Sequence, residues 1–210
     1  MTEFETITIH RRGGAATIEL ARPETMNAWN KQLGLDLRAA VEEVAADDEV
    51  RAVCLTGAGR AFSSGADLKD LITGEQTEQG RPDVYNVLTE RYHPIITGVR
   101  RMPKPVVAAV NGPAVGIGLS LALAADFVVA RESAYFLLAF VNIGLAPDGG
   151  SSLFVPERIG FTRATEMAML GEKVGAAQAA EWGLINRVIA DDDFDAEVSA
   201  LLERLAAGAT

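Results

Sequence analysis

The chain has 210 residues, 49% hydrophobic and 23% charged, with 29 acidic side chains against 19 basic ones and a formal charge of −10. A chain of this size buries roughly 70% of its unfolded surface, enough for one soluble core without staples. The lone cysteine, Cys54, excludes an internal disulfide, and with only His10 and His93 beside it a Cys/His zinc site is set aside. The acidic balance lacks the basic stripe that nucleic acid requires.

Residues 1–12 carry acids and alternate in hydropathy, so no signal peptide is read and a cytoplasmic location is expected. Phe4, Ile7 and Ile9, then Ala16, Ile18 and Leu20, predict a hairpin turning at Arg12-Gly13-Gly14. Leu33, Leu37, Val41 and Val44 predict a helix over 31–46 with Asn30 as its cap. Residues 52–56 read as a buried strand stopped by Gly57-Ala58-Gly59. The stripe Val84, Leu88, Tyr92, Ile95 and Val99 predicts one long helix from Asp83 to Arg101, ended by Met102-Pro103-Lys104-Pro105.

Val106 to Ala124 is apolar enough to suggest a membrane span, but Asn111-Gly112-Pro113 breaks it into a strand over 106–110 and a helix over 116–124. Strands at 127–130 and 135–138, helices at 153–159, 163–170 and 176–182, and a strand at 185–189 follow. The pattern is α/β, with no linker or low-complexity tract, and reads as one domain. The last stripe, Phe194, Val198, Leu201, Leu202 and Leu205, requires a partner: the core, another subunit, or residues outside this chain.

Two strand–glycine–helix junctions, at Gly65-Ala66-Asp67-Leu68 and Gly116-Ile117-Gly118, fit neither dinucleotide nor phosphate-loop spacing. Each can turn a backbone N–H toward a ligand, and two such donors can stabilise a thioester enolate. Taken by spacing alone, such pairs are more often tight turns that hold no ligand.

The segments 22–30 (ArgProGluThrMetAsnAlaTrpAsn), 57–68, 104–127, 143–150 (IleGlyLeuAlaProAspGlyGly) and 181–189 together resemble the enoyl-CoA hydratase/isomerase family, the crotonases. The resemblance covers about nine-tenths of the chain. It implies a crotonase-type spiral of ββα repeats over residues 1–190, with 191–210 as the start of a C-terminal helical segment that is short or missing here. It also implies a homotrimer or dimer of trimers. The implied ligand is an acyl-CoA thioester, with no metal and no separate cofactor, since CoA belongs to the substrate. Backbone N–H groups of Ala66 and Ile117 would hold the thioester oxygen. Met26 and Ala28 would border the adenine, and Ser64, Asp67, Leu68, Gly116 and Phe140 would line the rest of the substrate. Arg22, Arg60 and Lys69 are candidate phosphate partners or solvated surface charges.

Hydratases of the family use two glutamates, and the matching positions here are Ser120 and Phe140, so ordinary hydration is disfavoured. The remaining carboxylate is Asp148, whose position resembles the catalytic aspartate of epoxyphenylacetyl-CoA isomerases and related double-bond isomerases. One carboxylate suffices to shift a double bond or open a ring epoxide through an enolate. Asp148 before Gly149-Gly150 also suits a helix cap. Phe136, Leu137, Phe140 and Val141 are expected to form an apolar wall around it. His93 matches the histidine of aryl-CoA dehalogenases, but Phe140 replaces their tryptophan, so His93 is read as a surface or rim residue. An isomerase is the expectation, with hydratase-like, dehalogenase-like and catalytically silent acyl-CoA-binding proteins as alternatives.

Overall fold

The computed structural model describes residues 3–74 and 76–208. The predicted hairpin forms from β1 (Ile7–Arg12) and β2 (Ala15–Leu20), with Ile9 opposite Ile18. The next helix, α1 (Lys31–Ala46), starts where expected, because the Asn30 side chain accepts from the Leu33 N–H and satisfies an otherwise orphaned donor. Strand β3 (Ala52–Gly57) then pairs in parallel with β2. Further along lie β4 (Val106–Val110), β6 (Phe127–Arg131) and β9 (Arg187–Ile189), completing a six-stranded sheet of order β1-β2-β3-β4-β6-β9.

Between these strands the chain repeatedly steps out to a second, smaller sheet and returns through a helix, as the expected ββα spiral requires. Strand β5 (Ala114–Val115) follows β4, and β7 (Tyr135–Leu137) follows β6; with β8 (Val174–Gly175) they form that sheet. Ser63 bridges Ala114, which extends the same layer into the first turn of the spiral. Helix α5 (Ile117–Ala124) connects β5 to β6, and α7 (Ala176–Trp182) leads from β8 to β9. The apolar window 106–124 is therefore a strand, a turn and a buried helix. Among the described residues no helix is long and apolar enough to cross a membrane.

Alternation divides the large sheet between two cores. Val53, Leu55, Val106, Ala108 and Val128 face α1 and α5, while Ala52, Cys54, Val107, Ala109 and Val129 face the opposite way. The last helix, α8 (Phe194–Ala206), closes this second face with Phe194, Val198, Leu202 and Ala206. Its stripe thus finds its partner in the core of the same chain. The predicted pair of helices at 153–159 and 163–170 appears within α6 (Ser151–Leu170), which is kinked at Gly160 (φ 76°, ψ 164°).

The expected single helix over 83–101 needs correction. After the short α2 (Leu68–Thr73) come α3 (Val84–Asn86), a π-helical segment Val87–Tyr92, and α4 (His93–Arg100). The His93 N–H bonds the Leu88 carbonyl five residues back. Pro94 explains the widening: it has no N–H for the Glu90 carbonyl, and its ring crowds that carbonyl in a regular α turn.

Candidate active site

The two glycine junctions meet. A Cβ placed on Gly116 would lie 4.0 Å from the Gly65 Cα and 4.0 Å from the Phe140 ring. Gly116 has φ 53° and ψ −123°, a conformation that glycine adopts freely and other residues adopt only under strain. At the first junction, Trp29 donates to the Gly65 carbonyl at 2.8 Å and accepts from the Asp67 N–H at 3.0 Å. In such a parallel bridge the intervening residue turns its own N–H the other way, so the Ala66 N–H faces away from Trp29. Among the described residues no backbone carbonyl accepts from it. Ile117 is the first residue of α5, where an N–H has no partner within the helix. Both residues line one apolar cavity of about 170 Å³.

Asp148 lines the same cavity, and its carboxyl is not the cap of α6. Gly150 occupies the cap position without any side-chain hydrogen bond. The first turn of α6 is instead tied to the Asp148 main-chain carbonyl, which accepts from the Ser151 N–H at 3.0 Å and from the Ser151 hydroxyl at 2.7 Å. The fully buried Ser120 hydroxyl donates to the same carbonyl at 2.9 Å. Ser120 is therefore a brace for the Asp148 backbone. Gly149 completes the placement: its φ is 57°, and a Cβ there would fall 2.9 Å from the Ser120 Cβ as well as 2.3 Å from the Ile117 Cδ1, so glycine lets this loop lie close over α5.

The carboxyl is left to face the cavity. Its Oδ1 is sealed from solvent and has no hydrogen-bond partner among the described residues. Burial pushes its pKa up from 3.8 to about 6, because a low-dielectric wall penalises the charged form.

The cavity gathers Ser64, Ala66, Leu68, Gly116, Ile117, Phe140 and Asp148 of the residues singled out in sequence. It does not gather Met26, Ala28 or Asp67. Met26 is connected through its carbonyl, which accepts from the Ser64 N–H at 2.9 Å. Ala28 is buried beside it. Asp67 has a structural role in the fold: it caps α2 and pairs with Arg22 at 3.4 Å. Arg22, which also donates to the Ala28 carbonyl, is thereby engaged within the fold, while Arg60 and Lys69 are exposed.

The expected apolar wall is corrected. Of its four residues only Phe140, 5% exposed, lines the cavity. Strand alternation sends Phe136 into the core, and the 3-10 turn Ala139–Ile143 carries Val141 outward to 41% exposure. The remaining wall comes from Leu71, Val84, Val87 and Leu88, with Ile143 and Leu145 opposite. His93 is exposed and lies outside this lining. Its neighbour Tyr92, 6% exposed, faces the cavity and packs edge-on against Trp29 with ring centroids 5.2 Å apart. Sequence reading assigned Tyr92 to a core stripe; a phenol within an otherwise aliphatic face was the signal available.

Residues 10–210 match the enoyl-CoA hydratase/isomerase family model. A probable enoyl-CoA hydratase of Rhodobacter capsulatus is 44% identical over 98% of this chain and 77% of its own length. The 4-chlorobenzoyl coenzyme A dehalogenase-2 of an Arthrobacter species and the 1,2-epoxyphenylacetyl-CoA isomerase of Escherichia coli K12 are each 39% identical over 97% of this chain, covering 73% and 76% of themselves. The crystal structure of an enoyl-CoA hydratase from Bacillus anthracis superposes with a TM-score of 0.90 at 30% identity, over 97% of this chain and 78% of that one. This chain belongs to the enoyl-CoA hydratase/isomerase family and has its crotonase fold. The relatives bear the names of three different reactions, so the family leaves the chemistry to the side chains of the site.

Proposed function

We propose that this protein is an acyl-CoA isomerase that uses Asp148 as its single acid/base. One observation carries the reading: among the described residues the Asp148 carboxyl caps nothing and its Oδ1 has no partner, and Asp148 shares a cavity with Ala66 and Ile117, whose N–H groups bond no backbone carbonyl there. With a pKa of about 6, the carboxylate is about nine-tenths ionised at pH 7, and its conjugate acid is still accessible.

The carboxylate removes a proton from the carbon α or γ to the thioester. The electron pair moves onto the thioester oxygen as an enolate, held by the two N–H donors. The carboxylic acid then returns the proton at the other end of the conjugated system, and the double bond has shifted. Phe140 and the aliphatic wall keep water from the enolate and maintain the raised pKa. The reading needs no cofactor beyond the CoA of the substrate. It carries with it a cytoplasmic setting and a trimer or dimer of trimers, for which the family is the support.

Hydration lacks support because Ser120 is engaged with the Asp148 carbonyl and Phe140 has no acid or base to offer. A dehalogenase-like reading lacks support because His93 lies outside the cavity lining. The test is solvent-deuterium incorporation at the α and γ carbons of enoyl-CoA thioesters. Wild type should incorporate deuterium, and Asp148→Asn should bind the thioester with unchanged affinity and incorporate none. Full exchange by the asparagine variant overturns the proposal, and acyl-CoA binding without exchange by wild type identifies a silent binder.

A further inference from the structure

A buried carboxylate that must ionise to act needs a hydrogen-bond donor, and the cavity offers few. The Ser64 hydroxyl is engaged with the Thr25 carbonyl at 3.1 Å, and the Asn142 amide with the Gly171 carbonyl at 3.3 Å. The backbone N–H groups of Ala66 and Ile117 belong, in the reading above, to the thioester oxygen. Among the described residues lining the cavity, Tyr92 is the polar side chain besides Asp148 that makes no hydrogen bond within the protein. Its hydroxyl donates to no protein acceptor among the described residues.

We infer that Tyr92 is a positioning residue for Asp148: through a water molecule held in the cavity that both line, its phenol O–H supplies a hydrogen-bond donor to the open side of the Asp148 carboxyl. The geometry that makes this workable lies in the π-helical segment. The widened turn ends on Tyr92, and the edge-on contact with the fully buried Trp29 holds the ring in place. Burial, and after it the charge of Asp148, raises the Tyr92 pKa, so the phenol keeps its proton wherever the carboxylate is ionised. A protonated phenol facing an ionised carboxylate stabilises the charged form and moderates the rise that burial imposes.

The other groups around the pair do not compete. The parts of α5, the 3-10 turn and α6 nearest Asp148 present Ile117, Ser120, Phe140 and Ser151, none of them charged. Tyr92 also borders a smaller pocket with Arg91, Asp70 and Asp67, whose charges are engaged with one another and with Arg22: Arg91 pairs with Asp70 at 3.7 Å, and Asp67 with Arg22.

The test is Tyr92→Phe, which removes the hydroxyl and keeps the ring against Trp29. Titration of the Asp148 carboxyl by ¹³C NMR in the substrate-free protein should show its midpoint raised by about 0.5–1 pH unit, since one unit corresponds to about one modest hydrogen bond to a charge. The acid limb of deuterium exchange should move with it, giving about a 3–10-fold loss at pH 5 that fades above pH 8. Tyr92→Leu, which loses the ring as well, should raise the midpoint in the same direction and serves if the phenylalanine variant is unstable. A carboxyl that titrates as in wild type or lower, or a loss equal at every pH, overturns the role of Tyr92. The activity readout rests on the isomerase reading, but the NMR titration does not. Absent exchange in wild type would defeat the isomerase while the midpoint still decides Tyr92.

Discussion

Asp148→Asn should raise the melting temperature at pH 8 while removing the proposed chemistry. At that pH the wild-type carboxyl is ionised in both the folded and the unfolded chain, but only the folded chain holds the charge in a cavity that lifts its pKa from 3.8 to about 6. The folded state therefore binds this proton more tightly than the unfolded state. Stability falls as the pH rises through the window from 3.8 to about 6, and it stays reduced above that window. The interval corresponds to a ceiling of about 3 kcal/mol. The carboxyl is only partly covered, and solvent screening reduces this to about 1–2 kcal/mol. Asparagine keeps the volume without the charge, and the three bonds to the residue-148 main-chain carbonyl survive the change. For a chain of this length the gain is a Tm increase of about 2–8 °C at pH 8. Thermal unfolding followed by circular dichroism from pH 4 to pH 8 checks both the size and the pH dependence, since the difference should close as the pH approaches 4. A variant that melts below wild type at pH 8, as a lost helix cap would produce, refutes the reasoning. A gain that ignores pH refutes it equally.

Gly116→Val should lower deuterium exchange about 10²-fold or more, because a branched side chain cannot hold φ 53° and the Ile117 N–H would be misaimed. Ile117→Ala keeps that N–H and should lower exchange only mildly, although loss of a side chain 2% exposed should cost about 2–4 kcal/mol in urea unfolding; equal small effects on exchange from both changes contradict the donor assignment. Crotonyl-CoA should be hydrated very poorly, since each absent acid/base group typically costs about 10²–10⁴-fold. Turnover within tenfold of a two-glutamate relative, measured by loss of enoyl absorbance, rules that expectation out.

Local chemistry made much of this fold legible before any coordinates. The Asn30 cap, the Gly13-Gly14 turn and the Asn111-Gly112-Pro113 break act over a few residues, and each lies where its residue types demand. The stripe from Phe194 to Leu205 announced a buried face without naming its partner, and the sheet face bearing Cys54 and Val107 supplied one. Asp148 stands out in the sequence as the remaining carboxylate of a recognisable segment, and the resemblance favours catalysis, but its residue type before Gly149-Gly150 suits a cap as well. The two roles were separated only when Ser120, from 28 residues earlier, and Ser151 were both found on its carbonyl.

What the sequence by itself determined was the order of elements, the family, and the residues whose conformational demands are local, above all the glycines at the two junctions. The tertiary structure decided which side chains face the cavity. A small rotation of a turn exchanges Phe140 for Val141, and the π-helical segment shows Tyr92 to the cavity and His93 to solvent. Arg22 and Asp67, 45 residues apart, became a structural pair in the same way. The physical reason is that apolar periodicity records only how far a residue is buried. Whether it is buried against the core or against a ligand depends on hydrogen bonds and packing between elements that are distant in the chain.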